Sequence, residues 1–232
     1  MASKNSVKIY SENVFYHIYN RGVEKRDIFL DGQDYSVFLS YLQTYTTPKD
    51  EAKFEKIISS EKTSPKEKDE AIKQLQLKNY SGNIELVCYA LLPNHFHLLI
   101  HQNENILNRF MNSLGTRYGM YFNRKYKRTG ILFQDVYKAV IVRSDEQLLH
   151  LSRYIHLNPT RALNLPANKW QDSSFPSSLP EYFGKRQTSW IKKEIILNYF
   201  SKSKQNSSYE NFLGTDTDPL LIEDLAIDFE ED

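Results

Sequence analysis

The feature that most constrains this chain is the stretch from Ala90 to His101, where two short apolar runs are separated by Pro93-Asn94 and the second carries histidine at alternate positions. The pattern predicts a β-hairpin. Successive strand residues point to opposite faces, so His95, His97, Leu99 and His101 share one face, while Phe96, Leu98 and Ile100 share the other and can pack on helices. Paired imidazoles on a rigid strand suit a metal ion. The same pattern also occurs on polar strand surfaces without a ligand, and the hairpin by itself leaves both readings open.

With 232 residues, 40% of them hydrophobic and 13% aromatic, the chain can bury a full core, and one principal domain with additions is expected. Cys88 is the single cysteine, which excludes a disulfide framework and a thiolate zinc cluster and suits a reducing compartment. There is no apolar leader and no run approaching the ~18 apolar residues of a membrane span, so a cytoplasmic protein is expected. The net charge of +1 is unevenly spread. Residues 215–232 hold eight acidic side chains and no basic one, and are expected to be a disordered tail. Between Arg109 and Arg143, eight basic residues face Asp135 alone. Interleaved with Tyr118, Tyr121, Phe122, Tyr126 and Tyr137, this block suits a nucleic-acid backbone and its bases, or a solvated surface.

Several elements follow from local pattern. Val14–Asn20 alternates aromatic and polar residues and ends in Asn20-Arg21-Gly22, a strand running into a turn. Residues 33–45 carry Val37, Phe38, Tyr41, Leu42 and Tyr45 at helical spacing. Lys49–Lys78, with eight lysines and seven acidic residues, predicts a peripheral helical insertion whose second helix starts at Pro65. It reads either as solvated helix faces or as a clamp on a partner. Asn105–Phe122 is expected to be helical with Asn105 as N-cap, and Ile131–Gln134 and Tyr137–Val142 extended. Ser144 and Gln147 form a capping signature for a helix expected to end before Pro159. Its buried stripe is Leu148, Leu151 and Ile155, with Tyr154 and Asn158 together on one border. A last helix is predicted over Ser189–Phe200. The expected division is 1–185 as the catalytic domain with 49–80 as the charged insertion, 186–214 as a C-terminal helix and linker, and 215–232 as the acidic tail.

Two imidazoles on a strand, a tyrosine on a later helix and an amide oxygen one turn beyond it would make a metal-assisted phosphodiester-cutting site. In this order the chain resembles the HUH-type single-tyrosine transposases, and more closely the REP-associated tyrosine transposases. The resemblance rests on Pro93-Asn94-His95-Phe96-His97-Leu98-Leu99, on Tyr16-His17-Ile18-Tyr19-Asn20-Arg21-Gly22, on Gly130–Gln134 with Tyr137-Lys138, and on Tyr154-Ile155-His156-Leu157-Asn158-Pro159. Trp170, Ser173-Ser174 and Tyr182-Phe183-Gly184 extend it to about residue 185. It implies an α+β, ferredoxin- or RRM-like antiparallel sheet with helices on one face and DNA on the other. By the same resemblance His95 and His97 are metal ligands, Asn158 the third ligand, and Tyr154 the nucleophile. Val136 stands where family members often carry arginine, so by the resemblance one phosphate contact is either missing or replaced by Lys138.

Two neutral imidazoles and one carbonyl oxygen leave coordination positions for phosphate oxygens on Mg²⁺ or Mn²⁺. Attack by Tyr154 would give a 5′-phosphotyrosine and a free 3′-hydroxyl. The expected function is therefore a metal-dependent endonuclease and strand transferase acting on single-stranded, hairpin-containing DNA, as monomer or homodimer. Arg21, Arg117, Arg124, Lys125, Lys127, Arg128, Lys138, Arg153 and Arg161 are the DNA-contact candidates. Tyr137 is a rival nucleophile, Gln147 a rival ligand, and His101 lies too far along the strand from His95 to share a metal. His17 reads as structural, and His150 and His156 as helix-surface or DNA-facing groups. Two other functions compete: a hairpin-binding module without turnover, and a metal-dependent hydrolase of a small substrate.

Overall fold

The computed structural model describes residues 10–200 and 208–215. Four antiparallel strands, β1 (Val14–Arg21), β2 (Ile84–Leu92), β3 (His95–Gln102) and β4 (Lys138–Ile141), form one sheet in the order β2-β3-β1-β4. Helix α1 (Gly32–Thr46) links β1 to β2, and α4 (Leu107–Lys125) links β3 to β4. Each crossover spans one intervening strand, which gives the expected ferredoxin-like α+β arrangement. The two central strands pair along their whole length, from Val14 with Gln102 to Arg21 with His95. β3 is therefore bonded on both edges and holds its side chains on a stiff support.

The hairpin has the predicted two-residue connection, with Leu92 opposite His95. Its turn is also bonded from outside, since the Pro93 carbonyl accepts from the Ile28 and Phe29 amides and the Asn94 carbonyl from the Gly22 amide. Gly22 is also crowded by the segment that follows β1, where a Cβ would lie 2.2 Å from the Arg26 carbonyl oxygen.

Phe96 meets Phe38 of α1 and Phe133, with ring centroids 5.2 and 6.0 Å apart. These contacts fix the Phe96, Leu98 and Ile100 face as the side covered by α1 and α4. The expectation of helices on one face describes these two. Helix α5 (Asp145–Ala162) lies on the opposite, histidine-bearing face, where Tyr154 touches His97.

Local signals behave as physical chemistry demands in several places. The insertion forms α2 (Glu51–Ser59) and α3 (Pro65–Gln76), and α3 opens with a reciprocal Ser64–Glu67 capping box. Ser144 Oγ accepts from the Gln147 amide to cap α5. Other expectations are overturned. α5 continues through Pro159, which forfeits one intrahelical bond, and is buried without interruption from Leu151 to Thr160. The reason is a second cover on its outer side by α6 (Leu179–Tyr182), α7 (Glu194–Leu197) and α8 (Tyr209–Leu213). The helix predicted over Ser189–Phe200 shrinks to the four residues of α7. Residues 131–134 form no strand; Phe133 makes an isolated bridge with Gly22, and the Gln134 amide donates to the Arg21 carbonyl at the end of β1. α4 begins at Leu107, where Gln102 Oε1 accepts from the Ile106 and Leu107 amides in place of an Asn105 cap. Of the predicted acidic tail, residues 216–232 lie outside the described residues.

Candidate active site

The site starts from strand alternation. On the face opposite Phe96 stand His17, Tyr19 and Arg21 of β1 and His95 and His97 of β3, with Tyr19 directly across from His97 and Arg21 across from His95. α5 brings Tyr154 onto this face. Its ring meets His97 edge-on at 5.6 Å and His17 at 6.2 Å, both nearly perpendicular. The predicted strand pair and helix tyrosine, 57 positions apart for His97 and Tyr154, thus converge within one chain.

Each histidine is held through Nδ1. His95 Nδ1 lies 2.6 Å from Asn94 Oδ1, and the Asn94 amide nitrogen donates to the Lys25 carbonyl at 3.2 Å. His97 Nδ1 lies 2.9 Å from Nε2 of His17, and both rings are fully buried. Among the described residues His97 Nε2 is buried without a hydrogen-bond partner. Burial, reinforced by the neighbouring His95, His17 and Arg21, pushes the His97 pKa well below the usual imidazole range and keeps the ring neutral. A neutral imidazole with an open nitrogen is the form that binds a cation. No cluster of three or more His, Cys, Asp or Glu side chains is placed to hold a metal among the described residues. Any ion on the histidines must complete its shell with an amide oxygen, water or substrate.

Asn158 lies one turn beyond Tyr154 on α5, buried, with its amide nitrogen donating to the Tyr154 carbonyl at 3.4 Å. Its Oδ1 is an amide oxygen, a donor type that hard divalent cations accept. Tyr154 is only 2% exposed, so the phenol is held inside the closed face. Arg161, itself exposed, sits 5.7 Å from the Tyr154 ring.

The basic candidates divide by face. Arg21 stands beside His95, and its Nε is buried without a hydrogen-bond partner among the described residues. Lys138 is on the histidine face opposite Tyr19, nearly buried, with Asp135 at 3.9 Å. Arg117, Arg124, Lys125, Lys127 and Arg128 belong to α4 and the turn after it, on the other side of the sheet. There Arg117 covers the Tyr41 ring at 3.8 Å, Lys125 bonds Asp31 and Asp34, and Arg128 bonds Asn123. Arg124 and Lys127 are exposed. Arg153 is buried and donates from Nε to the Leu213 carbonyl, which takes it out of the solvent-facing surface.

The rivals separate as well. Tyr137 has its hydroxyl 2.6 Å from that of Tyr10 and donates to Asn108, on the α4 side of the sheet. Gln147 Oε1 accepts from the Arg143 amide in the α5 cap, and His101 bonds Glu85 at 3.1 Å. His156 is not a surface group. It is buried between the Tyr209 hydroxyl at 2.7 Å and Ser178 Oγ at 2.8 Å. His17 and Asn94 are the side chains whose contact with the histidine pair sequence reasoning did not anticipate. Setting β1 against β3 in antiparallel register would have placed His17 on the histidine face.

Residues 55–158 match the family described as Transposase IS200 like. Among solved structures, the fold is similar to that of a REP-associated tyrosine transposase bound to a REP hairpin, with TM-score 0.51, 12% identity, and coverage of 83% of this chain and 98% of that one. A candidate transposase from Deinococcus radiodurans is a weaker match, with TM-score 0.34, 14% identity and coverage of 67% of this chain and 95% of that one. No curated protein matches the chain. No helix among the described residues is long and apolar enough to cross a membrane.

Proposed function

Starting from the match of segment 55–158 to the IS200-like transposase family, we propose that the protein nicks and rejoins single-stranded DNA through a covalent bond to Tyr154. The observation that carries this reading is the edge-on packing of the Tyr154 ring against His97. A metal reading fits the residues present: His97 offers a buried, neutral imidazole with Nε2 open, His95 stands two residues away on the same face, and Asn158 supplies an amide oxygen. Bound to His95, His97 and Asn158, Mg²⁺ or Mn²⁺ would supply Lewis-acid polarisation of the scissile phosphate and screen its charge.

The chain's own groups account for the remaining requirements. The Tyr154 oxygen attacks phosphorus as its proton leaves to solvent, the bond to the 3′ oxygen breaks, and that oxygen takes up a proton. The products are a 5′-phosphotyrosine and a 3′-hydroxyl. One phosphodiester has been exchanged for another, so a new 3′-hydroxyl can reverse the step without ATP. Arg21 and Arg161 flank the reacting groups and suit the backbone phosphates. Because Tyr154 is enclosed, a DNA strand must displace it or lift part of α5 before reaction. In this reading the histidines and the tyrosine act from one chain, whose own Tyr154 packs on its own His97. A hairpin-bearing single strand is the proposed substrate, as the similar fold bound to a REP hairpin suggests.

The test is to incubate the protein with hairpin-bearing single-stranded DNA and Mn²⁺ or Mg²⁺, and to map any phosphotyrosine peptide. The expected result is a DNA–protein adduct on Tyr154 that chelator abolishes and Tyr154→Phe eliminates. An adduct that survives Tyr154→Phe disproves the nucleophile assignment. Tight hairpin binding, with no cleavage under any metal and no effect of His95→Ala, would identify a binding module instead.

A further inference from the structure

The two histidines of β3 are held by different chemistry. For His95 the proton position follows from its partner. Asn94 turns its amide nitrogen to the Lys25 carbonyl and its oxygen to His95 Nδ1. A carboxamide oxygen only accepts, so Nδ1 carries the proton and the lone pair sits on Nε2. For His97 the partner is a second imidazole, His17, and either nitrogen can donate.

We propose that His17 is the positioning residue for His97: its Nε2 accepts the His97 Nδ1 proton and so fixes the tautomer whose Nε2 lone pair can bind a cation. This rests on the metal reading given above. Three observations support it. The two rings lie within 13° of parallel with the nitrogens 2.9 Å apart, the geometry of an in-plane bond. Strand register fixes that contact, because Tyr19 faces His97 directly and His17, two residues back on β1, reaches it diagonally. His97 Nε2 is buried without a hydrogen-bond partner among the described residues. In the opposite tautomer it would be a buried N–H with no acceptor, whereas in the proposed one it is a lone pair that a cation can fill. His95 and His97 then present the same nitrogen to the site, one set by the residue preceding it and the other by a strand neighbour 80 positions away.

The experiment uses the full chain without DNA. Mn²⁺ affinity is measured by electron paramagnetic resonance titration of the parent, His17→Leu and His17→Gln, with thermal melting of each, and the His97 tautomer is read from long-range ¹H–¹⁵N correlations of the metal-free parent. Leucine has no acceptor, so His17→Leu should weaken Mn²⁺ binding about 10- to 100-fold. Glutamine offers an amide oxygen to the Nδ1 proton, and His17→Gln should return affinity to within roughly threefold of the parent. A purely structural role would lower the melting temperature of both variants without separating their metal affinities. The inference is overturned if folded His17→Leu binds Mn²⁺ like the parent, or if His97 in the parent is protonated on Nε2. Should His17→Leu not fold, the tautomer of the parent decides. A parent that binds no Mn²⁺ sinks the metal reading and this inference together. A parent that binds Mn²⁺ with the opposite tautomer sinks this inference alone.

Discussion

The two faces of the sheet are covered in different ways. On one, α1 and α4 meet β3 through interlocked rings: Phe38 contacts Phe96 at 5.2 Å and Tyr118 at 5.0 Å, and Phe133 closes over Phe96. On the other, α5 lies over two histidines, and its outer side is tied down by hydrogen bonds between His156 and the Tyr209 and Ser178 hydroxyls and from Arg153 Nε to the Leu213 carbonyl. Carbon packing builds the platform, and a polar outer layer holds the proposed nucleophile on it. Breaking the first should therefore cost more stability than loosening the second. Phe96→Ala removes a buried ring from the centre of the aromatic layer and should cost about 3–5 kcal/mol, read from the urea midpoint at unchanged slope. A loss below about 1 kcal/mol would remove Phe96 from the platform.

Acid should separate the faces next. Burial pushes the pKa of His156, in the α5 layer, down to about 3. The unfolded chain takes up a proton near 6.5 while the folded one does not, so stability falls as pH drops from about 6.5 toward 3, with a slope approaching ~1.4 kcal/mol per pH unit. On the α1/α4 side burial alone would raise the Asp34 carboxyl, but bonds from Lys125, the Leu30 amide, Tyr126 and Tyr121 outweigh it and hold it below the usual carboxylate range. That contribution is present above the unfolded carboxylate pKa near 4 and is lost only below it. His156→Gln, which can still bond both Tyr209 and Ser178, should make the decline between pH 6 and 4 shallower, the rest coming from His97, which burial also keeps neutral, and should leave the lower limb in place. An unchanged slope in urea melts across this range would show that His156 is not the source.

The same contrast explains what was legible in the sequence. The hairpin, its faces and the start of α3 and α5 depend on signals within a few residues: alternation around Pro93-Asn94, Ser64-Pro65 with Glu67, and Ser144 with Gln147. The meeting of Tyr154 with the histidines was anticipated because the motif order resembled a known family, and helical period alone would have supplied only the shared border of Tyr154 and Asn158. What stayed hidden rests on distant partners. His17 bonds a residue 80 positions away and His156 one 53 positions away. The amphipathic stripe of α5 understated its burial because the C-terminal segment covers the polar side. Pro159 misled for the opposite reason: a single missing hydrogen bond is tolerated where packing encloses the helix on all sides.

The smallest expected effect compares two helix caps of the same chemistry in different settings. Ser144 accepts from the Gln147 amide at 3.1 Å to start α5, and Ser64 accepts from the Glu67 amide at 3.3 Å to start α3. In isolation each cap is worth about 1 kcal/mol to its own helix. α5 is part of the cooperative unit, because its residues from Leu151 to Thr160 are buried between the sheet and the C-terminal segment. α3 buries only Ala71, and α2 buries nothing. Ser144→Ala should therefore lower global stability by about 1 kcal/mol, whereas Ser64→Ala should leave the global urea midpoint within about 0.3 kcal/mol and speed amide exchange only across residues 51–76. Equal shifts of the midpoint would mean that the charged insertion unfolds together with the sheet, and that the division between platform and periphery is drawn in the wrong place.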